Sequence, residues 1–395
     1  MTKRKITNNQ DTITKPAQRA PRAASAAQPK AVPVTAAPIP APARAHTVLI
    51  TGAAGYVGAM LVDLFSGRAD VARVIGIDKE PLPDLIAGRP KLTYIQANTA
   101  DYSAWRSAAA ALSPDIVIHC AWQIREMYGR KQEQWRWNVT GSENVFDFAF
   151  TTPSVRRLVH FSTVASYGAC PTNMVEQRFD EEQPFRQSDY LYAEEKRIVE
   201  ERLEERYDMA RARGSGVEVA IIRPAAITGP RGRYMRVRFG LQATLSGQLR
   251  DGFVHRVISA MVSFVPVTTK WLRQFVHEDD IADIVALLAF GELTKPYDVF
   301  IACPPGEVVR GADMAAAVGK RAVKIPPALI RAVFATAWHL SRGRVPTSRG
   351  GWKSYSFPIA VDGSKITRVY GYQYRMGSKE AFIRKEGRYM KYVNA

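Results

Sequence analysis

From residue 47 onward, short runs of β-branched and other apolar residues alternate with stretches in which apolar positions recur every three or four residues. TVLIT (47–51) leads through a glycine turn into the helical pattern GAMLVDLFSGR. RVIGID (73–78) and KLTYIQAN (91–98) read as the next strands, followed by the helix YSAWRSAAAAL and the strand PDIVIHCAW (114–122). The helix WNVTGSENVFDFAF, the strand RRLVHFST (156–163), a helix through LYAEEKRIVEE and the strand VEVAIIRP (217–224) continue the series. Strands this apolar are buried on both faces, and strand–helix alternation with right-handed crossovers predicts an α/β, doubly wound parallel sheet. Beyond residue 229 the pattern is less regular, except for QFVHEDDIADIVALLAF (274–290), which reads as a strand and helix returning to the sheet. The expected organisation is therefore a sheet domain over 47–229 rejoined by 274–294, and a smaller C-terminal lobe over 230–273 and 295–395.

Residues 1–46 break this texture. They hold seven prolines and almost no large apolar residue, too little to offset the entropy of ordering, so a disordered Ala/Pro-rich basic tail is expected. The prolines argue against an amphipathic targeting leader. The net charge of +18 is concentrated at the ends, with +7 in residues 1–46 and +9 in residues 341–395, leaving about +2 for the middle. The middle is near neutral and carries neither zinc-finger spacing nor an aromatic RNA-binding motif. No specific nucleic-acid binding is expected. Cys120, Cys170 and Cys303 are scattered and form no C-x-x-C pair, which points to free thiols in a reducing compartment and to no metal site. No apolar run is long enough to span a bilayer. The expected setting is cytoplasmic.

TGAAGYVG places Gly52, Gly55 and Gly58 between a strand and a helix. Gly52 permits a tight turn, Gly55 lets backbone approach a diphosphate, and Gly58 lets the helix pack closely on the sheet. The diphosphate would rest on the helix N-terminus, where Tyr56 and Val57 also line the site. Asp78, twenty residues past Gly58 at the end of the second strand, can accept hydrogen bonds from an adenosine ribose diol and would repel a 2′-phosphate. NAD is favoured, and Lys79 next door leaves NADP open. These features make the sheet domain Rossmann-type.

In SDYLYAEEK, Tyr192 and Lys196 are four apart and share one face of a helix, whereas Tyr190 lies roughly 240° away from Lys196. With TGAAGYVG, PDIVIHCA, WNVTGSENV, HFSTVASYG, YAEEK, IIRPAAITGP, FVHEDDIA and DGSKITRVYGY in this order, the chain resembles the extended short-chain dehydrogenases/reductases, the NAD-dependent epimerase/dehydratase family. The resemblance runs from about residue 47 to near the C-terminus. It implies that Tyr192 is the general acid/base, passing a proton to or from a substrate oxygen as hydride moves to or from nicotinamide. Since a free tyrosine has a pKa of about 10, the Lys196 ammonium and the positive nicotinamide ring would be needed to favour the phenolate. It further implies that Thr163 hydrogen-bonds the reacting oxygen and that Lys196 holds the nicotinamide ribose. Asn138, Asn98, Thr99, Ala121, Trp122, Pro224 and Ala225 would line the cofactor groove, with Tyr190 a neighbour or pocket wall. Ser162, His277, Asp280 and His119 are read as structural.

Three readings fit. Val164 and Ala165 stand where sugar-nucleotide dehydratases of the family carry an Asp-Glu pair, which argues against dehydration. Arg223-Pro224-Ala225 looks more like the hydroxysteroid-dehydrogenase and carbonyl-reductase branches than the epimerases. The leading expectation is an NAD(P)-dependent oxidoreductase exchanging hydride with a secondary alcohol or ketone. An alternative is a nucleotide-sugar epimerase with tightly held NAD, and another is a non-catalytic dinucleotide-binding scaffold. FVHRVISAMVSFVPV (253–267) and IPPALIRAVFATAWHL (325–340) read either as core or as the lining of an apolar cleft. The second, with Arg342 and Arg344 beside it, also suits peripheral contact with an anionic membrane. The resemblance implies a homodimer and a small-molecule substrate.

Overall fold

The computed structural model describes residues 45–232, 264–317 and 320–393. The expected disordered tail (all but residues 45 and 46) and most of the apolar segment 253–267 lie outside them. Seven parallel strands form the central sheet. They are β1 (His46–Thr51), β2 (Val71–Asp78), β3 (Leu92–Gln96), β4 (Ile116–His119), β5 (Arg157–Phe161), β6 (Glu218–Pro224) and, after the short strands β7 (Ala226–Thr228), β8 (Phe264–Val267), β9 (Leu272–Arg273) and β10 (Phe275–His277), β11 (Tyr297–Ala302). Their order is β11-β6-β5-β4-β1-β2-β3. The chain reverses its direction of winding between β1 and β4, and the carboxyl ends there flank the crevice in which open α/β sheets bind ligands.

Alternation along each strand sends side chains to two different cores. Val48 and Ile50, Ile116 and Ile118, and Ala220 and Ile222 join one cluster with Met60, Leu61, Phe65, Ile281, Ile284 and Leu288. Leu49, Val117, Val219 and Ile221 join the other with Trp105, Val145, Phe146, Phe148, Val199 and Leu203. The first cluster lies under the helices α1 (Tyr56–Ser66) and, later in the chain, Glu278–Phe290. The second lies under α2 (Tyr102–Ala111), α4 (Gly141–Thr151) and α5 (Leu191–Ala212). The segment expected as one helix from WNVTG onward is preceded by α3 (Lys131–Trp135) and opens with a π-turn, Arg136–Thr140, before α4. The Glu278–Phe290 helix is α6, followed by α7 (Gly311–Ala317) and α8 (Pro327–Leu340).

Strand β11 falls within 295–395, the range that sequence assigned to the lobe, yet it pairs with β6 from Tyr297 opposite Val219 to Ala302 opposite Pro224. A six-residue run without a following amphipathic helix carries too little periodicity to reveal this partner. A separate cluster of Val267, Trp271, Phe275, Val309, Met314, Met376 and Ala381 forms the core of the C-terminal part. Part of its basic charge is matched by acids elsewhere. Lys365 pairs with Asp298 at 2.5 Å, Arg375 and Arg388 with Asp283 at 2.6 and 2.8 Å, Lys391 with Asp63 at 3.1 Å, and Lys353 with Asp189 at 2.9 Å.

Candidate active site

The glycine turn occupies the β1 side of the crevice. Gly52 has φ +72°, and a Cβ there would stand 2.6 Å from the Ala121 nitrogen, so β1 and β4 leave the sheet back to back. A Cβ on Gly58 would stand 2.0 Å from the Gly52 carbonyl oxygen, the close helix–turn contact expected of it. Gly55 is the N-cap of α1 and supplies no side chain to the first amides, and no acid lies in the first turn. The positive end of this helix therefore faces the crevice without a carboxylate of its own.

Asp78, at the end of β2, accepts the Ala54 amide at 3.0 Å through one oxygen and the Glu80 amide at 3.0 Å through the other. Burial pushes its carboxyl up, against those two bonds. Lys79 pairs with Glu80 and lies 4.7 Å from the Trp137 ring. Asn98 caps the turn to α2 by accepting the Ala100 amide at 3.0 Å. Thr99 is buried, and its carbonyl accepts from Trp105 at 3.2 Å and Asn144 at 2.9 Å. The Ala121 amide approaches the Thr51 hydroxyl at 3.4 Å. Pro224 ends β6 and Ala225 follows it, and the Ser162 amide donates to the Ile222 carbonyl of the same strand at 2.7 Å.

Thr163 and Tyr192 meet. Thr163 N-caps a short 3-10 turn, its Oγ1 accepting from the Ala165 amide at 3.1 Å. A hydrogen bond between Tyr192 and Thr163 lowers the phenol, but burial outweighs it and pushes it up. Lys196 is buried, with its ammonium on the Phe161 carbonyl and 3.6 Å from the centre of the Trp122 ring. Burial pushes it down to about 7. Tyr190 is the N-cap of α5, not part of the helix, and its ring centroid is 5.8 Å from that of Tyr192.

Glu195, Ser142, His160 and Glu278 escaped the sequence, and they partner residues that it did single out. Asn138, in the π-turn, accepts the Gln123 amide at 2.7 Å and donates to Glu195 at 2.6 Å. Glu195 is fully buried, a carboxylate on the stripe it shares with the buried Val199 and Leu203 at i+4 and i+8. That stripe is the signal that marks it. His119 links Thr51 at 2.7 Å to Ser142 at 2.8 Å, and the Ser142 hydroxyl donates to the Asn138 carbonyl at 2.5 Å. This direction leaves Ser142 as the acceptor of an Nε2 proton and makes His119 Nδ1 accept from Thr51. Burial pushes His119 down to about 3, so the ring is neutral. His160 stacks on it at 5.3 Å and is likewise held neutral by burial. Across the crevice, His277 caps α6 by accepting the Asp279 amide at 3.2 Å, and Asp280 accepts from Tyr372 at 2.7 Å and the Arg375 amide at 3.0 Å. Both have structural partners. Glu278 receives the Tyr56 hydroxyl and the amides of Arg231 and Gly232 at 3.2 and 3.1 Å, tying the glycine turn to α6.

The family model described as the NAD dependent epimerase/dehydratase family matches residues 48–300. The chain belongs to that family. Solved structures with a similar fold include the Bordetella bronchiseptica enzyme WbmG in complex with NAD (TM-score 0.62, 23% identity, 88% of this chain and 95% of that one). Another is the UDP-glucose 4-epimerase of Thermus thermophilus in complex with NAD (TM-score 0.59, 20% identity, 86% and 97%). In sequence, the chain is 28% identical over 239 residues to the 3 beta-hydroxysteroid dehydrogenase/Delta 5-->4-isomerase of Mycobacterium tuberculosis. That match takes in 54% of this chain and 59% of the mycobacterial protein. Among the described residues no helix is long and apolar enough to cross a membrane, and no group of three or more His, Cys, Asp and Glu could hold a metal.

Proposed function

We propose that this protein is an NAD-dependent oxidoreductase that exchanges hydride with an apolar secondary alcohol or ketone. The observation that carries it is the meeting of Thr163 and Tyr192, with Lys196 buried one helical turn further along α5, at the same sheet end as an uncapped, glycine-lined helix N-terminus. Gly52, Gly55 and Gly58 leave backbone where a diphosphate would lie, with Tyr56 and Val57 in the first turn of α1, and Asp78 stands at the adjoining strand end. The residues present therefore fit a dinucleotide, which when bound supplies the hydride acceptor. Asn98, Thr99, Ala121, Trp122, Asn138, Pro224 and Ala225 complete its groove in this reading.

Thr163 accepts from an amide, so its own hydroxyl proton is available to a substrate oxygen or to Tyr192. Tyr192 takes the alcohol proton during oxidation and returns it during reduction. Its raised pKa must be brought down by the Lys196 ammonium and by the positive ring of oxidised cofactor. Aromatic rings near Tyr192 support an apolar substrate. A Cβ on Gly351 would lie 3.9 Å from Tyr190 and 3.8 Å from Phe334, and Phe334 meets Tyr355 at 5.2 Å.

The test uses NAD with a 3β-hydroxy-Δ5-steroid as probe and follows NADH. Tyr192→Phe should abolish turnover and keep NAD affinity, and undiminished turnover would refute the assigned base. Nucleotide released on unfolding gives the other arm. Near-stoichiometric NAD would favour the epimerase alternative, while reversible NAD binding with no turnover of any alcohol or ketone would favour the scaffold. A homodimer through α4 and α5, where Met209 is exposed, belongs to the same reading and is checked by light scattering. So does contact of α8 with anionic membrane. Leu329, Val333 and Leu340 are exposed while Ile330 and Trp338 are buried, and indifference to anionic liposomes at low salt would remove that contact.

A further inference from the structure

Glu195 sits beside Lys196, and its burial is complete. A carboxylate taken out of water needs partners, and here they are two buried amide side chains. Its Oε2 accepts from Asn138 Nδ2 at 2.6 Å and from Gln134 Nε2 at 3.2 Å. Each amide then holds the backbone of one stretch of loop. Asn138 accepts the Gln123 amide at 2.7 Å and donates to the Gln123 carbonyl at 3.0 Å. Gln134 accepts the Met127 amide at 2.8 Å. The two ends of 123–127 are thus fastened, through one carboxylate, to the first turns of α5.

The fastened stretch begins one residue after Trp122, whose ring lies against Lys196. It contains Glu126, which pairs with Lys131 at 3.7 Å and is held by Ser348 and Arg349. It ends beside Tyr128, whose ring meets Trp338 of α8 at 5.5 Å. The loop therefore runs from the Trp122–Lys196 contact to α8 in the C-terminal part.

We infer that Glu195 is a positioning residue, which fixes the 123–127 wall of the cleft relative to Tyr192 and Lys196 without touching substrate. This rests on the oxidoreductase reading for its kinetic consequence, but not for the clamp itself. Glu195→Gln keeps an oxygen for Asn138 and Gln134. Glu195→Ala removes it and leaves both buried amides without their acceptor.

Hydrogen exchange on the NAD-bound protein tests the clamp without any turnover. Glu195→Ala should speed exchange at the Gln123 and Met127 amides by about 10-fold or more, and Glu195→Gln should restore protection. With the steroid probe, Glu195→Ala should raise KM by about 10-fold, with kcat and NAD affinity little changed. Unchanged exchange in Glu195→Ala would overturn the proposal, as would a Glu195→Gln as loose as the alanine variant. A general loss of NAD affinity and thermal stability in place of the KM effect would also count against it. Should the alanine variant not fold, Gln134→Met severs one arm, and the Met127 amide should then lose protection while Gln123 keeps it. Failure of the wild type to oxidise the probe would sink the functional reading and leave the exchange test standing.

Discussion

Two helices, α1 and α6, begin at the carboxyl ends of strands on the same side of the sheet and solve the same problem in opposite ways. Each presents unpaired amides and a partial positive charge at its N-terminus. Helix α6 fills that end itself. His277 caps it, and Glu278, Asp279 and Asp280 crowd the first turn, all buried. Their carboxylates receive amides and hydroxyls from 231–232, 372–375 and residue 388, so the end serves as a hub for distant segments. Helix α1 has a glycine cap and no acid in its first turn. One end has been used to build the protein, and the other carries no carboxylate of its own, as the proposed dinucleotide site requires. The contrast is written in the sequence as GAAGYVG against HEDD, and the Tyr56–Glu278 bond joins the two ends.

The largest effect should follow from closing α1 by force. Gly58→Val would drive a side chain into the Gly52 carbonyl, backbone against helix with neither able to yield. We expect a loss of about 3 kcal/mol or more by chemical unfolding, together with loss of NAD binding by titration. Opening α6 comes next. Asp280→Ala strands the Tyr372 hydroxyl and the Arg375 amide and should cost about 2 kcal/mol, yet leave NAD affinity unchanged. A drop in NAD affinity matching that of Gly58→Val would break the distinction between the two ends.

Gly55→Asp converts α1 toward α6. Its extended backbone admits a side chain, although a Cβ would stand 3.0 Å from the Gly52 oxygen. A new carboxylate cap should add up to about 1 kcal/mol, less the cost of that contact, while NAD affinity falls about 10-fold or more as like charges compete. Stability and affinity should therefore move independently. The smallest effect is on acidification. Burial lowers the His277 pKa in the folded protein, overriding Asp279 and Asp280. The unfolded chain thus takes up a proton first. This contribution is fully present above the unfolded value of about 6.5 and falls, as pH drops toward the folded value, by at most about 1.4 kcal/mol per pH unit. His277→Asn, a cap that does not titrate, should flatten the slope of stability against pH below that point. His119 and His160 are lowered in the same direction and add to the acid sensitivity.

Legibility follows the range of the interactions. The strands from β1 to β6 and the glycine turn could be read because continuous apolar runs and a positive φ at Gly52 are local constraints. So could the pairing of Tyr192 and Lys196 on α5, which needs only the helix repeat. What escaped depends on partners far along the chain. Glu278 is 222 residues from Tyr56. Glu195 is 57 residues from Asn138, and only its register with Val199 and Leu203, not the motif YAEEK, sets it apart from a solvated helix residue. The direction of the Lys196 ammonium was hidden for another reason: Trp122, expected to line the cofactor groove, lies against the lysine itself.

The last described helical turn has a consequence for how the molecule is made. Tyr389 is fully buried, with its hydroxyl on the Met60 carbonyl 329 residues earlier, and Lys391 pairs with Asp63 on the same helix. At about 5–20 residues per second, the ribosome delivers that cover on the order of half a minute after α1 has emerged. During synthesis the nucleotide-binding half therefore waits with part of its first helix bare. A chaperone arriving in that interval would find the outer face of α1 before the protein's own C-terminal segment does.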